Sequence, residues 1–593
     1  MSAEHFFKSN RRDILRLLAA LPAGALLAGC PKLFRREPLP VCPNSPDVSL
    51  LNGPLTIDAH CHVFNGTDLQ IKEFFSRVAA RQSGALGAGV KVLGSVLQNL
   101  AWSFAPSGDT EIAELRDLSA ALRTCTEREH TARVSSLRQA GYTRGREQLQ
   151  AAVARSSEFQ TLQEKRRLGA LELDFDPETM SKVEAIRFIE ELPPDVETYR
   201  AAKANKSLST MALSGRSIQG LIDFVLQNFQ YRYVSIHDYL RTYNQKGVRV
   251  VDLMLPSMVD YDFWLAKGRG TLTPLRTQVE LMQQMTIITG GRVHGFVPFD
   301  PLRQIAYDLK LTRDDSYGLV TKAIDKMGCI GVKLYPPMGF APLGNRGLDT
   351  KSGTPFWERD WLPDWTSRPD LGARLDDAMS KMLGWCEAND VPVMAHTNIS
   401  NGVIRDFENL AGAEYWEIAL KAYPKLRVSF GHFGDTSPVE DGLERARAFK
   451  ALMSTKDAAP GIHAYADAGY FVEVLGKEPA LLTNLRQLYE DTVPAGRAPL
   501  ASRFMYGTDW EMTLTEGGIS GYLNDFVRLF DELEAGPAIR QQGLTGLSDR
   551  FFGNNAAHWI GLSSGNAARH RLDAFYALHN VPKPDWATKL DAG

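Results

Sequence analysis

The chain of 593 residues is 44 % hydrophobic and 23 % charged, with a formal charge of −3. Such a composition belongs to a globular protein with ample core, and without a basic excess it excludes a nucleic-acid-binding role. Six cysteines, none of them in a CxxC pair, exclude a disulfide scaffold and a thiolate zinc site.

The chain opens on a targeting pattern. Ser9 to Arg16 read S-N-R-R-D-I-L-R, and an apolar run from Leu17 to Ala28 follows, broken by Pro22 and glycines. That run is too short to span a bilayer, but a basic start, a short apolar stretch and small residues before a cysteine are the parts of a secretory signal. Arg11-Arg12 resembles the twin-arginine export signal, and Leu27-Ala28-Gly29-Cys30 resembles the lipobox of bacterial lipoproteins. The resemblance implies a signal peptide over 1–29, lipidation of Cys30, membrane contact through that lipid anchor, and a place on the periplasmic side of the cell envelope. Residues 30–54, with Pro31, Pro38, Pro40, Pro43, Pro46 and Pro54, read as an extended tether.

Eight short apolar, β-rich segments come next: Leu55 to His62, Val248 to Leu255, Val293 to Phe299, Gly331 to Pro336, Val391 to His396, Leu426 to His432, Ala464 to Val472 and Phe504 to Asp509. Near-continuous apolar runs mark strands buried on both faces, and their alternation with helix-like stretches predicts an α/β fold of the (β/α)8 TIM-barrel type. The competing doubly wound sheet lacks a GxGxxG opening a helix after any of these strands. The barrel is expected over 55–65 and 246–565, with 566–593 as a C-terminal extension.

Residues 66–245, between the first two strands, read as a large helical insertion. Ile218, Leu221, Ile222, Val225, Leu226 and Phe229 fall on one face of an amphipathic helix. Glu111 to Gly169 reads as helical with largely solvated charges, whereas Gly84, Gly87, Gly89 and Gly94 argue against a helix between Ala79 and Trp102. An insertion leaving the C-terminal end of the first strand would lie above the site face. There it would cap the site, build a homo-oligomer, or be a peripheral decoration.

The first strand ends Asp58-Ala59-His60-Cys61-His62, and period-two alternation turns His60 and His62 the same way with Cys61 on the other face. Three further strands stop on a ligand type, at His396, His432 and Asp509. Any single histidine is more often structural, but five such residues at the same strand ends point to one site. His294 and His463, at the opposite strand ends, read as structural, and Asn554 or Asn555 as the cap of the final helix.

With these residues in place, the sequence resembles the amidohydrolase superfamily, in its amidohydrolase-related (type 2) group. The likeness runs from about Leu55 to Leu562 outside the insertion and rests on D-A-H-C-H (58–62), G-V-K-L-Y-P (331–336), M-A-H-T-N (394–398), S-F-G-H-F-G (429–434), Y-G-T-D-W (506–510) and G-N-N-A-A (553–557). It implies metal ligands His60, His62, His396 and Asp509, with His432 and Asp509 as the catalytic acid and base. Such a donor set suits one Zn2+, with Mn2+ or a two-metal site as the alternatives. Lys333 is the residue that would bridge two metals or bind substrate. Tyr335, Arg346, Asn398 and Trp510, in loops after the strands, are the weaker substrate-binding candidates, and Trp357, Trp361 and Trp365 are pocket or loop-anchoring residues. The expected activity is hydrolysis of a C–N or C–O bond in a small molecule by a metal-activated water. A metal-dependent non-oxidative decarboxylase and a non-catalytic metal-binding envelope protein are the alternatives.

Overall fold

A computed structural model describes residues 53–592 except 83, 122–126, 168–175, 205–214, 246–248, 349–354, 436–441, 477–478, 517 and 542–543. The signal pattern, Cys30 and nearly all of the tether lie outside the described residues. Among the described residues no helix is long and apolar enough to cross a membrane.

The molecule is a mixed α/β structure with parallel sheets. Its main strands are β1 (Ile57–Cys61), β2 (Leu253–Pro256), β3 (Phe296–Pro298), β4 (Gly331–Leu334), β5 (Val393–His396), β6 (Val428–Gly431), β7 (Ala464–Asp467) and β8 (Phe504–Met505). Each falls within one of the eight segments picked out in the sequence, except that β2 runs one residue further, to Pro256. Strands β3 to β8 form one parallel sheet in chain order, and β1 pairs with β2 in another. Parallel bridges Met254–Val293 and Ser257–Phe296 join β2 to β3. On the far side, the Ala59 N–H donates to the Tyr506 carbonyl at 3.0 Å and the Asp509 N–H to the His60 carbonyl at 2.7 Å.

Every residue of these strands is buried, as two-sided coverage requires. Val332, Leu334, Val393, Ala395, Val428 and Phe430 join the core shared with the helices. Their alternates Met394, Tyr465 and Met505 pack instead with Ile57, Ala59, Phe296 and Trp559. On that second face the strands finish at their carboxyl ends in Lys333, His396, Gly431 and Asp467. Strand β1 departs from simple alternation: its register against β2 shifts between Asp58 and Cys61. Ile57 and Ala59 lie on the second face and Cys61 on the first. The irregularity is what lets His60 follow Ala59 onto the second face.

The chain between β1 and β2 is helical through most of its described residues. Ile218, Leu221, Ile222, Val225, Leu226 and Phe229 are all buried, as their spacing required. One expectation fails here. Gly84–Asn99 is a helix despite its glycines, because Leu86, Val90, Leu93, Val96 and Leu97 form an apolar stripe buried against that same face, and packing outweighs propensity. The charges of Glu111–Gly169 are largely solvated among the described residues, with Glu111 and Arg138 as the buried exceptions. Glu111 is fully buried and, with Asp68, holds the buried Arg232 guanidinium at 2.7 and 2.5 Å.

The far end of the strands is covered by Ala567–His579 and Asp585–Ala592. His294 bonds the Gly328 carbonyl at 2.7 Å and the Tyr576 hydroxyl at 2.6 Å. Asn555 caps nothing: its side-chain amide donates to the Ala501 and Phe504 carbonyls at 3.1 and 2.8 Å. Asn554 likewise makes no side-chain cap, because a π-turn over Arg550–Asn554 runs straight into the helix Asn555–Ile560. That helix is not the last.

Candidate metal centre

His60 stands at the middle of the site. Its Nδ1 is 2.8 Å from Asp467 Oδ1, so Nδ1–H donates to the carboxylate and Nε2 is left as a lone pair. The residue occupies a space that three glycines leave open: a Cβ at Gly431 or Gly469 would come within 2.9 or 2.7 Å of the ring, and one at Gly507 within 2.8 Å of the His60 Cβ. His62 is fixed in the same sense, its Nδ1 lying 2.7 Å from the Ser257 carbonyl. Its Nε2 therefore turns a lone pair toward Asp509 Oδ1 at 3.2 Å. Two acceptors face one another.

That juxtaposition is the test of fit for a cation. The donor atoms of His60, His62 and Asp509 lie within 4.8 Å of one another, and all three residues are buried. Asp509 Oδ1 has no hydrogen-bond donor, although the Asp509 carboxyl is held well below the usual carboxylate range. Burial alone would raise it, and His62, His432 and His60 more than offset that. A buried anion this close to imidazole nitrogens is satisfied by a metal ion or by a proton held between them. The two Nδ1 anchors supply the outer hydrogen bonds that metal-binding histidines characteristically carry.

His396 and His432 form an adjoining pair. His432 Nδ1 donates to the Gly469 carbonyl at 2.8 Å, and its Nε2 lies 3.0 Å from His396 Nδ1. His396 thus presents Nε2, which is buried and has no partner. His396 is not within the tight group formed by His60, His62 and Asp509. Burial, with His60 next, brings His432 down to about 4 and keeps it neutral. His432 and Asp509 both adopt left-handed backbone conformations, with φ of 64° and 52°, of the kind that clusters at functional sites.

Lys333 Nζ is 3.1 Å from His60 Nε2, and burial lowers its ammonium to about 8. Asp467 went unrecognised in the sequence. It accepts from His60, from the backbone N–H groups of His432 and Gly469, and from Ser429 Oγ at 2.9 Å. Burial raises its carboxyl, but His60 and these donors bring it to about 2. The signal was present: Ala464-Tyr465-Ala466-Asp467 is an apolar strand stopping on an acid, hidden by running that strand on to Val472.

A cavity that opens to solvent rises over these groups, with about 590 Å3 of non-atom space when its open mouth is included. His62, His396, His432 and Asp509 line its floor, with Tyr335 stacked on His396 at 4.4 Å. The other loop candidates do not reach it. Arg346 is exposed, with its backbone N–H on Asp376, and Asn398 is half-buried beside a cavity that Asn401 lines. Trp510 is buried, donates to Ser235 Oγ at 3.1 Å and meets Tyr239 edge-on. Trp357 anchors its loop through the Gly339 carbonyl. Leu69, Ile71, Phe74, Phe75 and Phe224, from the chain between β1 and β2, complete much of the wall.

No protein-family model and no curated protein matches the chain. Among solved structures, an uncharacterized TIM-barrel protein from Bordetella bronchiseptica aligns at 12 % identity with a TM-score of 0.32, over 55 % of this chain and 82 % of that one. An amidohydrolase from Burkholderia multivorans with bound zinc aligns at 12 % identity and a TM-score of 0.30, over 52 % and 84 %. A 2,6-dihydroxybenzoate decarboxylase from Rhizobium aligns at 14 % identity and 0.29, over 53 % and 85 %. Likenesses of this strength carry no argument about the reaction, which rests on the side chains of the site.

Proposed function

We propose that this chain is a metal-dependent hydrolase that cleaves a C–N or C–O bond of a small molecule, built on a closed (β/α)8 barrel. The observation that carries the reading is the Asp509 carboxylate facing the His62 lone pair beside His60. Closure of the barrel is supported by the hydrogen bonds of β1 to β2 on one side and to Tyr506 and Asp509 on the other.

In this reading His60, His62 and Asp509 hold one divalent cation, zinc by its preference for imidazole and carboxylate, and the bare Nε2 of His396 is the fourth donor. When bound, the cation supplies Lewis acidity toward a carbonyl or a water. Asp509, ionised across the neutral range, accepts the proton of the attacking water. His432 is neutral and lines the cavity, so its Nε2 takes that proton on from Asp509, giving up its bond to His396, and delivers it to the departing nitrogen or oxygen as the C–N or C–O bond breaks, which leaves Asp509 ionised again. Asp467 keeps His60 in the tautomer that leaves Nε2 unprotonated. Lys333 places a positive charge at the base of the site, where it stabilises the Asp467 and Asp509 anions and developing oxyanion charge.

The test is turnover of a panel of neutral esters, lactones, amides and aryl carboxylic acids, before and after chelation and with zinc restored. The account expects water-dependent cleavage, abolished by chelation and by Asp509→Asn and restored in wild type by zinc. Full activity after chelation would sink it. Release of carbon dioxide without consumption of water would replace hydrolysis with decarboxylation on the same site.

A further inference from the structure

Resting on the reading that the cavity floor is the reacting end, we infer that the substrate fills the remaining cavity with an uncharged aryl or branched alkyl group. The chain between β1 and β2 selects for that group. Leu69, Ile71, Phe74, Phe75 and Phe224 supply one wall, and Val259 and Met512 lie among the residues that complete the lining. Among the described residues no lysine or arginine lines this cavity, and Asp509 is its sole carboxylate.

The wall is braced from behind. Phe75 meets Phe224 edge-on at 6.3 Å and stacks on Trp102 at 6.4 Å, and Trp102 stacks on Phe229 at 5.2 Å. Phe64 closes on Phe224 from the strand side at 6.2 Å. Rings held by rings leave a preformed apolar slot suited to edge-to-face contact with an aromatic guest. The polar edge of the slot is neutral: the Tyr335 hydroxyl is hydrogen-bonded to Tyr261 and Asn401. It offers hydrogen bonds to an ether, hydroxyl or amide but no counter-charge. A charged group carried away from the reacting end would be stripped of water here with nothing to pair it. Each added methylene, by contrast, would gain about fourfold in affinity.

The test is competition against the neutral fluorophore N-phenyl-1-naphthylamine on the full chain, in chelated and in zinc-loaded form. The competitors are 2-naphthamide and its 6-carboxy and 6-aminomethyl derivatives. The neutral amide should displace the fluorophore with one site per chain, and either charged derivative should bind at least about tenfold more weakly. Phe224→Ser should weaken the amide by about tenfold, and Phe224→Leu by no more than about threefold. The wild-type comparison of charged with neutral ligands stands even if Phe224→Ser fails to fold. A charged derivative binding as tightly as the amide, or no displacement at all, would overturn the inference. Amide binding without zinc uptake sinks the metal reading alone, and zinc uptake without amide binding sinks this one alone.

Discussion

His60 owes its position to what its neighbours lack. Gly431 and Gly469 vacate the volume that its ring fills, Gly507 makes room for its Cβ, and Asp467 fixes which nitrogen carries the proton. The histidines and the aspartate of the site were legible because each ends an apolar run. Their support was not, since a glycine or an acid has the same letter whether it lines a site or a loop. Replacing Asp467 by Asn keeps the shape but removes the charge that binds the His60 tautomer in place. Zinc affinity, read by competition with a chromophoric chelator, should fall about 10- to 100-fold with little change in melting temperature. Unchanged affinity would make Asp467 a structural residue only.

At the scale of elements, the eight strands could be read from apolar runs bounded by breakers, and the helix bearing Ile218 to Phe229 from its period. The misreadings have physical causes. Glycine propensity argued against Gly84–Asn99, and a buried stripe overrode it. Alternation over His60, Cys61 and His62 was read correctly, and only the register shift that puts Ala59 on the same face as His60 was not foreseen. The role of Asn555 depended on carbonyls some fifty residues away, which no local motif encodes.

The helix Ala567–His579 docks partly through Tyr576 and His294, and this contact makes a prediction about pH. Burial lowers His294 to about 4, opposed by its bond to the Gly328 carbonyl. As pH falls below 6.5 the unfolded chain takes up this proton first, so the contribution of neutral His294 is complete above 6.5 and is lost progressively down to pH 4. The loss should approach ~3 kcal/mol. Urea midpoints at pH 7 and 4.5 should therefore lie closer together in His294→Asn than in wild type. Identical acid sensitivity would contradict the assignment.

For the whole molecule, the two ends of the strand array divide the work. One end is sealed by Trp559, Trp586 and Tyr576, while the other gathers Lys333, His396, Asp467 and Asp509 beneath an apolar wall delivered from between the first two strands. The segment leaves the chain directly after His60 and His62 and so reaches the site face at once. Its position above the site was readable from where it departs, but which of its side chains turn inward depends on helix packing that local spacing does not specify.

All of this centres on a cation between His60, His62 and Asp509. The most direct measurement is the metal content of the purified full chain by elemental analysis, in wild type and in His62→Ala and Asp509→Asn. The account predicts one divalent ion per wild-type chain, removed by chelation, regained on adding zinc, and absent from both variants. A wild-type chain that takes up no ion, or variants that retain it in full, would contradict the account.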